Sequence, residues 1–190
     1  MPNTINLCDS LLASDIQGYN CENPMTKGVE NIGILLNRND IQLGEVVKSN
    51  HIITALPLKS GKKGYTIVQG GKQPFNGSQQ EMVEGTYQNT ITNTVQFAIL
   101  NSGETTAEIV DALMNGTFVA VLTNKYAPET DAKHQVFGME GGLRASVMVR
   151  EWYSDDTLAG WLVTLTEEDA GTATLYVTDS VYATLTETAQ

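Results

Sequence analysis

Cysteine, histidine and carboxylate residues are the first places to look for chemistry, and their spacing excludes most known sites. Cys8 and Cys21 are the only two cysteines and His51 and His134 the only two histidines, so no Cys/His set has the spacing of a zinc site. A free, reduced cysteine pair is the main expectation, and one disulfide that holds the N-terminal segment is the alternative.

Acidic clusters and glycine-rich turns also lack the spacing that catalysis or metal binding needs. Asp155–Asp156 and Glu167–Asp169 do not alternate oxygen ligands around a glycine bend, so we interpret them as solvated turn carboxylates. The stretch Gly70–Gln73, GGKQ, has Gln where a phosphate-binding loop needs Ser or Thr. With no nucleophile-elbow pattern around a serine, the sequence predicts a non-enzymatic protein without a metal or cofactor.

Aromatic residues gather at one predicted hairpin, where Trp152, Tyr153 and Trp161 lie close together in the chain. Aromatic side chains in such a place usually pack across strands. A carbohydrate or other ligand site at these three residues is the alternative function that the sequence leaves open.

A long alternating segment is the clearest structural signal in the 190 residues. In Thr86–Leu100 the residues Tyr87, Ile91, Val95, Phe97 and Ile99 fall on one side of an extended chain. The opposite side is polar but uncharged, and it consists of Thr86, Gln88, Thr90, Thr92, Thr94 and Gln96. This period of two predicts a half-buried β-strand with a neutral, wet face.

The remaining pattern predicts a mainly β chain, a β-sandwich or barrel-like sheet with one flanking α-helix. The helix is expected at about 104–115, with Thr105 and Glu108 as a capping box and Gly116 as a left-handed stop. Its apolar stripe is predicted to be Ile109, Val110, Leu113 and Met114. Strands are predicted at 32–36, 52–56, 65–69, 117–124, 134–138, 143–153, 160–166, 172–178 and 181–187.

Two regions divide the chain in this interpretation. Residues 1–45 are predicted to be an extended N-terminal arm or loop-rich segment, and residues 46–190 a single β-sandwich domain. Within that domain, residues 57–80 form a predicted basic loop, because residues 46–80 contain no acid and carry Lys59, Lys62, Lys63 and Lys72.

Charge is distributed unevenly along the chain. Residues 1–80 have a net charge of +1 and residues 81–190 a net charge of −12. An acidic surface disfavours tight binding to phosphates, although it is compatible with a passage through which nucleic acid slides. The start of the chain has no basic region of a secretory signal, and no segment has about twenty consecutive apolar residues, so neither secretion nor membrane insertion is expected.

The order of these elements resembles that of the tail tube (major tail) proteins of long-tailed bacteriophages. The resemblance rests on the strand at 86–99, on the helix Glu104–Asn115 that follows it, and on His134–Leu165, in which an aromatic-Gly strand precedes a Gly-Leu turn. It covers about residues 45–190 and concerns layout.

The resemblance implies a virion protein that assembles into stacked hexameric rings around a passage for DNA. It further implies other virion tail proteins as partners, no membrane, and a location in the virion tail after assembly in the host cytoplasm. The six polar residues from Thr86 to Gln96 would then face the lumen. The four lysines Lys59, Lys62, Lys63 and Lys72 would contact the neighbouring ring. A capsid decoration or head–tail connector subunit is the structural alternative.

Overall fold

The structure is a computed structural model that describes Ile16 and residues 26–125, 133–155 and 157–189. Its elements in chain order are β1 Val29–Asn37, β2 Val47–Ser49, β3 Ile52–Ala55, β4 Tyr65–Val68, β5 Gln79–Val83, β6 Thr90–Ile99, α1 Glu104–Asn115, β7 Phe118–Asn124, β8 His134–Phe137, β9 Arg144–Arg150, β10 Trp161–Ala170, β11 Leu175–Val177 and α2 Asp179–Thr184. The mainly β class is confirmed.

Two sheets contain all of these strands. The larger sheet has the order β2-β3-β11-β8-β7-β1-β4, and the smaller sheet has the order β5-β6-β10-β9. All neighbouring pairs are antiparallel except β3 and β11, which run parallel.

The larger sheet is buried on both faces near its centre, because alternate residues of β1 and β7 enter two different hydrophobic clusters. Ile34 and Val121 pack under α2, whereas Leu35 and Leu122 pack against the smaller sheet and α1. A strand that is covered on both faces is apolar at nearly every position. This explains the run Phe118–Leu122, in which every residue is buried.

Helix α1 has the predicted bounds, but its ends differ from the prediction. Gly103 occupies the N-cap position without a side-chain hydrogen bond, so the capping box of Thr105 and Glu108 is wrong, and Gly116 has φ −87° rather than a left-handed value. Val110 and Leu113 are buried, together with Thr106. The predicted stripe residues Ile109 and Met114 are exposed, so the buried side of the helix is narrower than predicted.

The C-terminal prediction is wrong in kind, because residues 181–187 do not form a strand. Thr178 caps α2 by accepting a hydrogen bond from the backbone N of Val181. Val181 and Leu185 then lie four residues apart on one helical face, and both are buried. The alternation of apolar and polar residues was the misleading signal here.

The N-terminal boundary also needs correction. The predicted arm extends to residue 45, but Val29–Asn37 lies between β7 and β4 inside the larger sheet. Cys8 and Cys21 lie outside the described residues. The predicted basic loop is interrupted as well, because the strand β4 separates a turn at 59–64 from a second loop at 69–78.

Candidate functional site: the outer face of the smaller sheet

The neutral polar residues of β6 lie on the side of the smaller sheet that faces away from the core. Along this strand Asn93, Val95 and Phe97 are buried, whereas Thr92, Thr94 and Gln96, which alternate with them, are partly exposed. Thr90 begins the strand and donates from Oγ1 to Asp169 Oδ1 at 3.3 Å. Four of the six candidate lumen residues therefore share one face.

Thr86 and Gln88 are not brought to this face by the structure. The strand begins at Thr90 instead of Thr86, and both residues are exposed in the bend that precedes it. The bend is tight: a Cβ atom at Gly85 would lie 2.3 Å from the carbonyl oxygen of Gln88. A chain that turns so closely on itself cannot continue the sheet, so the predicted strand was too long at its start.

Neighbouring strands extend the neutral surface with residues that the sequence did not reveal. Thr164 and Thr166 of β10 lie opposite Gln96 and Thr94. Gln96 donates from Nε2 to Thr164 Oγ1 at 3.0 Å. The hydroxyl groups of Ser146 and Thr166 lie 2.7 Å apart. The predicted strand at 160–166 contained both threonines, but only the register with β6 shows that they share its polar face.

We call this surface the neutral face and define it by seven residues: Gln79, Thr92, Thr94, Gln96, Ser146, Thr164 and Thr166. Hydroxyl and amide groups bind water as donors and acceptors at once and carry no net charge. Other residues complete the same face on the terminal strands: Glu81 of β5 lies opposite Thr92, and Arg144 and Val147 of β9 lie opposite Thr166 and Thr164. The centre of the face can therefore be fully hydrated without attracting or repelling a polyanion strongly.

Three of the four candidate lysines are brought together and the fourth is not. Lys59, Lys62 and Lys63 share the turn that precedes β4, whereas Lys72 lies in the loop after it. The four residues of β4 separate the two loops by about 13 Å.

The turn is held in place by the C-terminal segment. Gly61 N donates to Ala189 O at 2.7 Å, and Ala189 N donates to Lys62 O at 2.9 Å. Lys62 Nζ also lies 3.6 Å from Asp40 Oδ1. The lysine ammonium groups thus project from a fixed backbone, which lowers the conformational entropy that they would lose in a contact.

Glu167 is the residue whose role the sequence most misjudged. It was predicted to be a solvated turn carboxylate, but it is only 2% exposed and belongs to β10. Its Oε2 accepts from Asn93 Nδ2 at 2.7 Å and from Gly138 N at 3.0 Å. Its Oε1 accepts from Gly141 N at 2.5 Å and from Gly142 N at 3.1 Å.

The four donors explain why a charge is tolerated in the core at this position. A buried carboxylate is costly unless hydrogen bonds replace its lost hydration. Glu167 therefore holds the loop 138–142 against the end of the smaller sheet. This loop is the aromatic-Gly and Gly-Leu stretch on which the resemblance partly rests, and its shape depends on a residue about 25 positions further along the chain.

His134 is the centre of a second polar cluster. It begins β8, which lies between β7 and β11, and its imidazole is buried. Its Nδ1 lies 2.8 Å from Thr123 Oγ1, its Nε2 lies 3.1 Å from Asp179 Oδ1, and the ring stacks on Tyr182 at 3.9 Å. Burial lowers the pKa of His134, although the neighbouring Asp179 carboxylate opposes that shift.

A hydroxyl, an imidazole and a carboxylate in line are also the parts of a nucleophilic triad. Here the tyrosine ring covers one face of the imidazole, and Lys133 Nζ binds Asp179 at 2.7 Å. The cluster joins α2 to β7 and β8, which is the role that its contacts support.

The aromatic hairpin tip is more exposed than predicted. Tyr153 is fully exposed and Trp152 is 66% exposed, so neither packs across the strands, whereas Trp161 is partly buried against the core. Arg150 lies 4.0 Å above the Trp152 ring and 6.0 Å from the Trp161 ring. Its guanidinium occupies a face of the indole that a sugar ring would need.

Comparisons with known proteins identify no relative of this chain. Neither the family models, nor the curated proteins, nor the solved structures with which the chain was compared give a match. Within residues 26–125, 133–155 and 157–189, no three His, Cys, Asp or Glu side chains are grouped so that they could hold a metal ion. In the same residues, neither α1 nor α2 has the length and apolar character needed to cross a membrane.

Proposed function

We propose that this chain is a phage virion structural protein whose copies assemble into rings and stack into a tail tube that DNA passes through. The observation that carries the proposal is the neutral face, a hydrated surface without charge at its centre on an otherwise acidic chain. Its place in the virion tail, its assembly in the host cytoplasm and its contacts with other tail proteins belong to the same proposal.

Passage of DNA sets a specific electrostatic demand on such a tube. Lysine or arginine residues in the wall would bind phosphates and slow the DNA. Each neutralised phosphate releases counterions, which makes the free energy of binding more favourable. Threonine and glutamine avoid that attraction, and hexameric repetition would surround the DNA with the same neutral surface on every side.

The fixed lysine turn supports stacking of the rings. Lys59, Lys62 and Lys63 project from one end of a protein whose second half carries a net charge of −12. A single exposed ion pair contributes only about 0–1 kcal/mol. Repetition around a ring multiplies that small contribution, so stacking is expected to weaken as the salt concentration rises.

Assembly is tested by light scattering during size-exclusion chromatography and by negative-stain electron microscopy of the concentrated protein. Rings or tubes with a central channel are the expected result. A monomer at every protein and salt concentration contradicts the proposal. Lys62→Glu with Lys63→Glu should shorten the tubes and lower the melting temperature by only a few degrees, because Lys62 also loses its exposed ion pair with Asp40, which is worth about 0–1 kcal/mol. Tubes of unchanged length would remove the stacking role from the turn.

The lumen assignment has its own test, with a matched control. Thr92→Lys with Thr94→Lys should allow tubes to form but make them retain short fluorescent duplex DNA at low salt. Thr105→Lys with Asn115→Lys adds two lysines at exposed positions of α1, away from the neutral face, and should not retain DNA. Equal retention by tubes of both variants would show that Thr92 and Thr94 do not line the channel.

The exposed hairpin tip supports a ligand-binding function as the second candidate, through the face of Trp152 that Arg150 does not cover. A glycan that stacks on Trp152 would quench or shift its fluorescence, and Trp152→Ala would abolish that response. A decoration or connector subunit, the other structural candidate, would bind a preformed shell or portal and form no tubes alone.

A further inference from the structure

We infer that β4 of one copy pairs with β5 of another copy, as antiparallel strands, to join neighbouring subunits. This inference rests on the proposed self-assembly and names the two surfaces that meet. Both strands are terminal in their sheets within the described part of the chain. Their exposed apolar residues, Val68 at 65% and Met82 at 58%, are unusual for strands that only meet water.

In the smaller sheet, the part of β6 that β5 does not cover is protected by side chains, in contrast to the edges of β4 and β5. Where β5 ends, the N and O atoms of Ala98 on β6 bind the side-chain amide of Gln69 at 2.8 and 2.9 Å. Gln96 N is protected in the same way, because it donates to Ser78 Oγ at 2.9 Å. These contacts satisfy backbone groups that an added strand would otherwise use.

An apolar groove runs beside the open edge of β4. It is a cavity of about 580 Å³ between β4, the end of β6 and α1, and Ile67, Leu100 and Ile109 contribute to its wall. A strand added to β4 would cover this groove, and its alternate side chains would enter it.

Among the terminal strands, β5 has the charge that best complements the surroundings of β4, so we expect β5 of another copy to pair with β4. Lysines flank β4 at positions 63 and 72, and residues 46–80 contain no acid. Of the terminal strands in the described sheets, β2 carries Lys48 and β9 carries Arg144 and Arg150, whereas β5 carries Glu81, with Glu84 following it. Pairs of β4 with β4, or of β5 with β5, would bring like charges together.

The alternation of hydrogen bonds along β4 and β5 determines which backbone N–H and C=O groups point away from their own sheets. Gln69 N donates to Asn31 O of β1, so Thr66 and Val68 direct their N–H and C=O groups away from β1. Val68 O already accepts a hydrogen bond from Gln69 Nε2 at 3.2 Å, so an added strand would share or replace that one contact, whereas Val68 N is available. The Ser78 and Gln69 contacts place the even-numbered residues of β6 toward β5. Because β6 uses Gln79, Glu81 and Val83 as partners, Gln80 and Met82 point outward.

One antiparallel register satisfies both the backbone and the side chains. With Val68 opposite Met82, the outward-pointing residues of the two strands pair, and two exposed apolar side chains cover each other. Ile67 then lies opposite Val83, which enters the groove. The contact is heterologous, because different strands meet, so repetition gives a closed ring or an open filament.

Disulfide trapping tests this register directly. In a Cys8→Ser, Cys21→Ser background, Val68→Cys with Met82→Cys places two cysteines about 5.5 Å apart between Cα atoms, within the range of a disulfide. Mild oxidation should give a ladder of dimers, trimers and higher species on a non-reducing gel. Val68→Cys alone and Met82→Cys alone should remain monomeric.

The alternative outcomes separate this inference from the proposed function. Dimers from a single-cysteine variant would indicate pairing of identical strands and overturn the inference. Rings seen by microscopy without any 68–82 crosslink would overturn it and leave the tail tube proposal intact. A protein that stays monomeric throughout would remove both.

Exchange of charges provides an independent readout. In this register Glu84 and Glu81 are offset along the strands by about three residues, or about 10 Å, from Lys63 and Lys72, so their attraction is diagonal and strongest at low salt. Lys63→Glu with Lys72→Glu should lower the crosslinking yield about fivefold at low salt, and adding Glu81→Lys and Glu84→Lys should restore it. Glu168→Lys with Glu187→Lys makes the same change in net charge at exposed sites elsewhere and should not restore it. Equal restoration by both pairs would reduce the effect to net charge and overturn the assigned contact.

Discussion

Glu167→Gln should destabilise the fold far more than its conservative chemistry suggests. The carboxylate accepts four hydrogen bonds, two on each oxygen, from Asn93 and from the backbone of the 138–142 loop. Glutamine keeps one oxygen and replaces the other with an amide that donates. Two buried donors then lose their acceptor in either orientation of the side chain.

The size of the effect follows from those two donors. Each buried donor left without a partner costs about 1–3 kcal/mol, so we expect a loss of about 2–6 kcal/mol in the free energy of unfolding. For a chain of this length that corresponds to a fall of very roughly 5–20 °C in the melting temperature. Urea unfolding followed by circular dichroism measures the loss.

Glu168→Gln is the matched control, because the neighbouring carboxylate is exposed. It should change the free energy of unfolding by less than about 0.5 kcal/mol. If Glu167→Gln and Glu168→Gln unfold at the same urea concentration, the buried carboxylate does not hold the glycine loop and the reasoning fails.

Three further predictions concern other parts of the fold. Phe97→Ala should cost about 3–5 kcal/mol in urea unfolding, because the ring is buried between the sheets, and a loss below about 1 kcal/mol would remove it from the core. Gln69→Leu should expose the rim of β6 at Ala98, and faster hydrogen exchange of the Ala98 amide by NMR or mass spectrometry checks it. Burial lowers the pKa of His134, so the unfolded chain binds the proton more tightly. Stability should therefore fall as the pH drops below about 6.5 and level off below the folded pKa, and His134→Asn but not His51→Asn should reduce that slope in melting curves.

Local patterns predicted the elements whose signals lie within one segment. Helix α1 was predicted at its observed bounds from its apolar stripe, a capping box and Gly116, although the capping box is wrong and only Val110 and Leu113 of the stripe are buried. The strand β7 was recognisable because nearly all of its residues are apolar. The prediction of a strand at 181–187 was wrong, because the alternation of apolar and polar residues was a stronger signal than the helix cap at Thr178. That cap begins a helix of only six residues.

Contacts between residues far apart in the chain could not be predicted from local sequence patterns. That Glu167 meets the loop 138–142, or that Thr164 faces Gln96, depends on the register between β10 and β6. The bulge between Glu167 and Ala170 changes which residues face the core, and it lies where a simple turn was expected. A turn carboxylate and a buried one look alike in sequence, because the difference lies in donors supplied by distant residues.

The way in which the strand edges are covered or left open relates the fold to the proposed assembly. Lysines beside an edge are also a common defence against unwanted pairing, so the lysines that flank β4 could act in that way alone. A purely defensive arrangement would give β5 similar cover, yet β5 carries exposed Met82 and Val83 and the opposite charge. Meanwhile the adjacent rim of β6 is closed by Gln69 and Ser78. Among the four terminal strands of the described sheets, β5 alone is acidic and β4 borders the apolar groove, which favours selective pairing of these two strands between copies over general avoidance of contact.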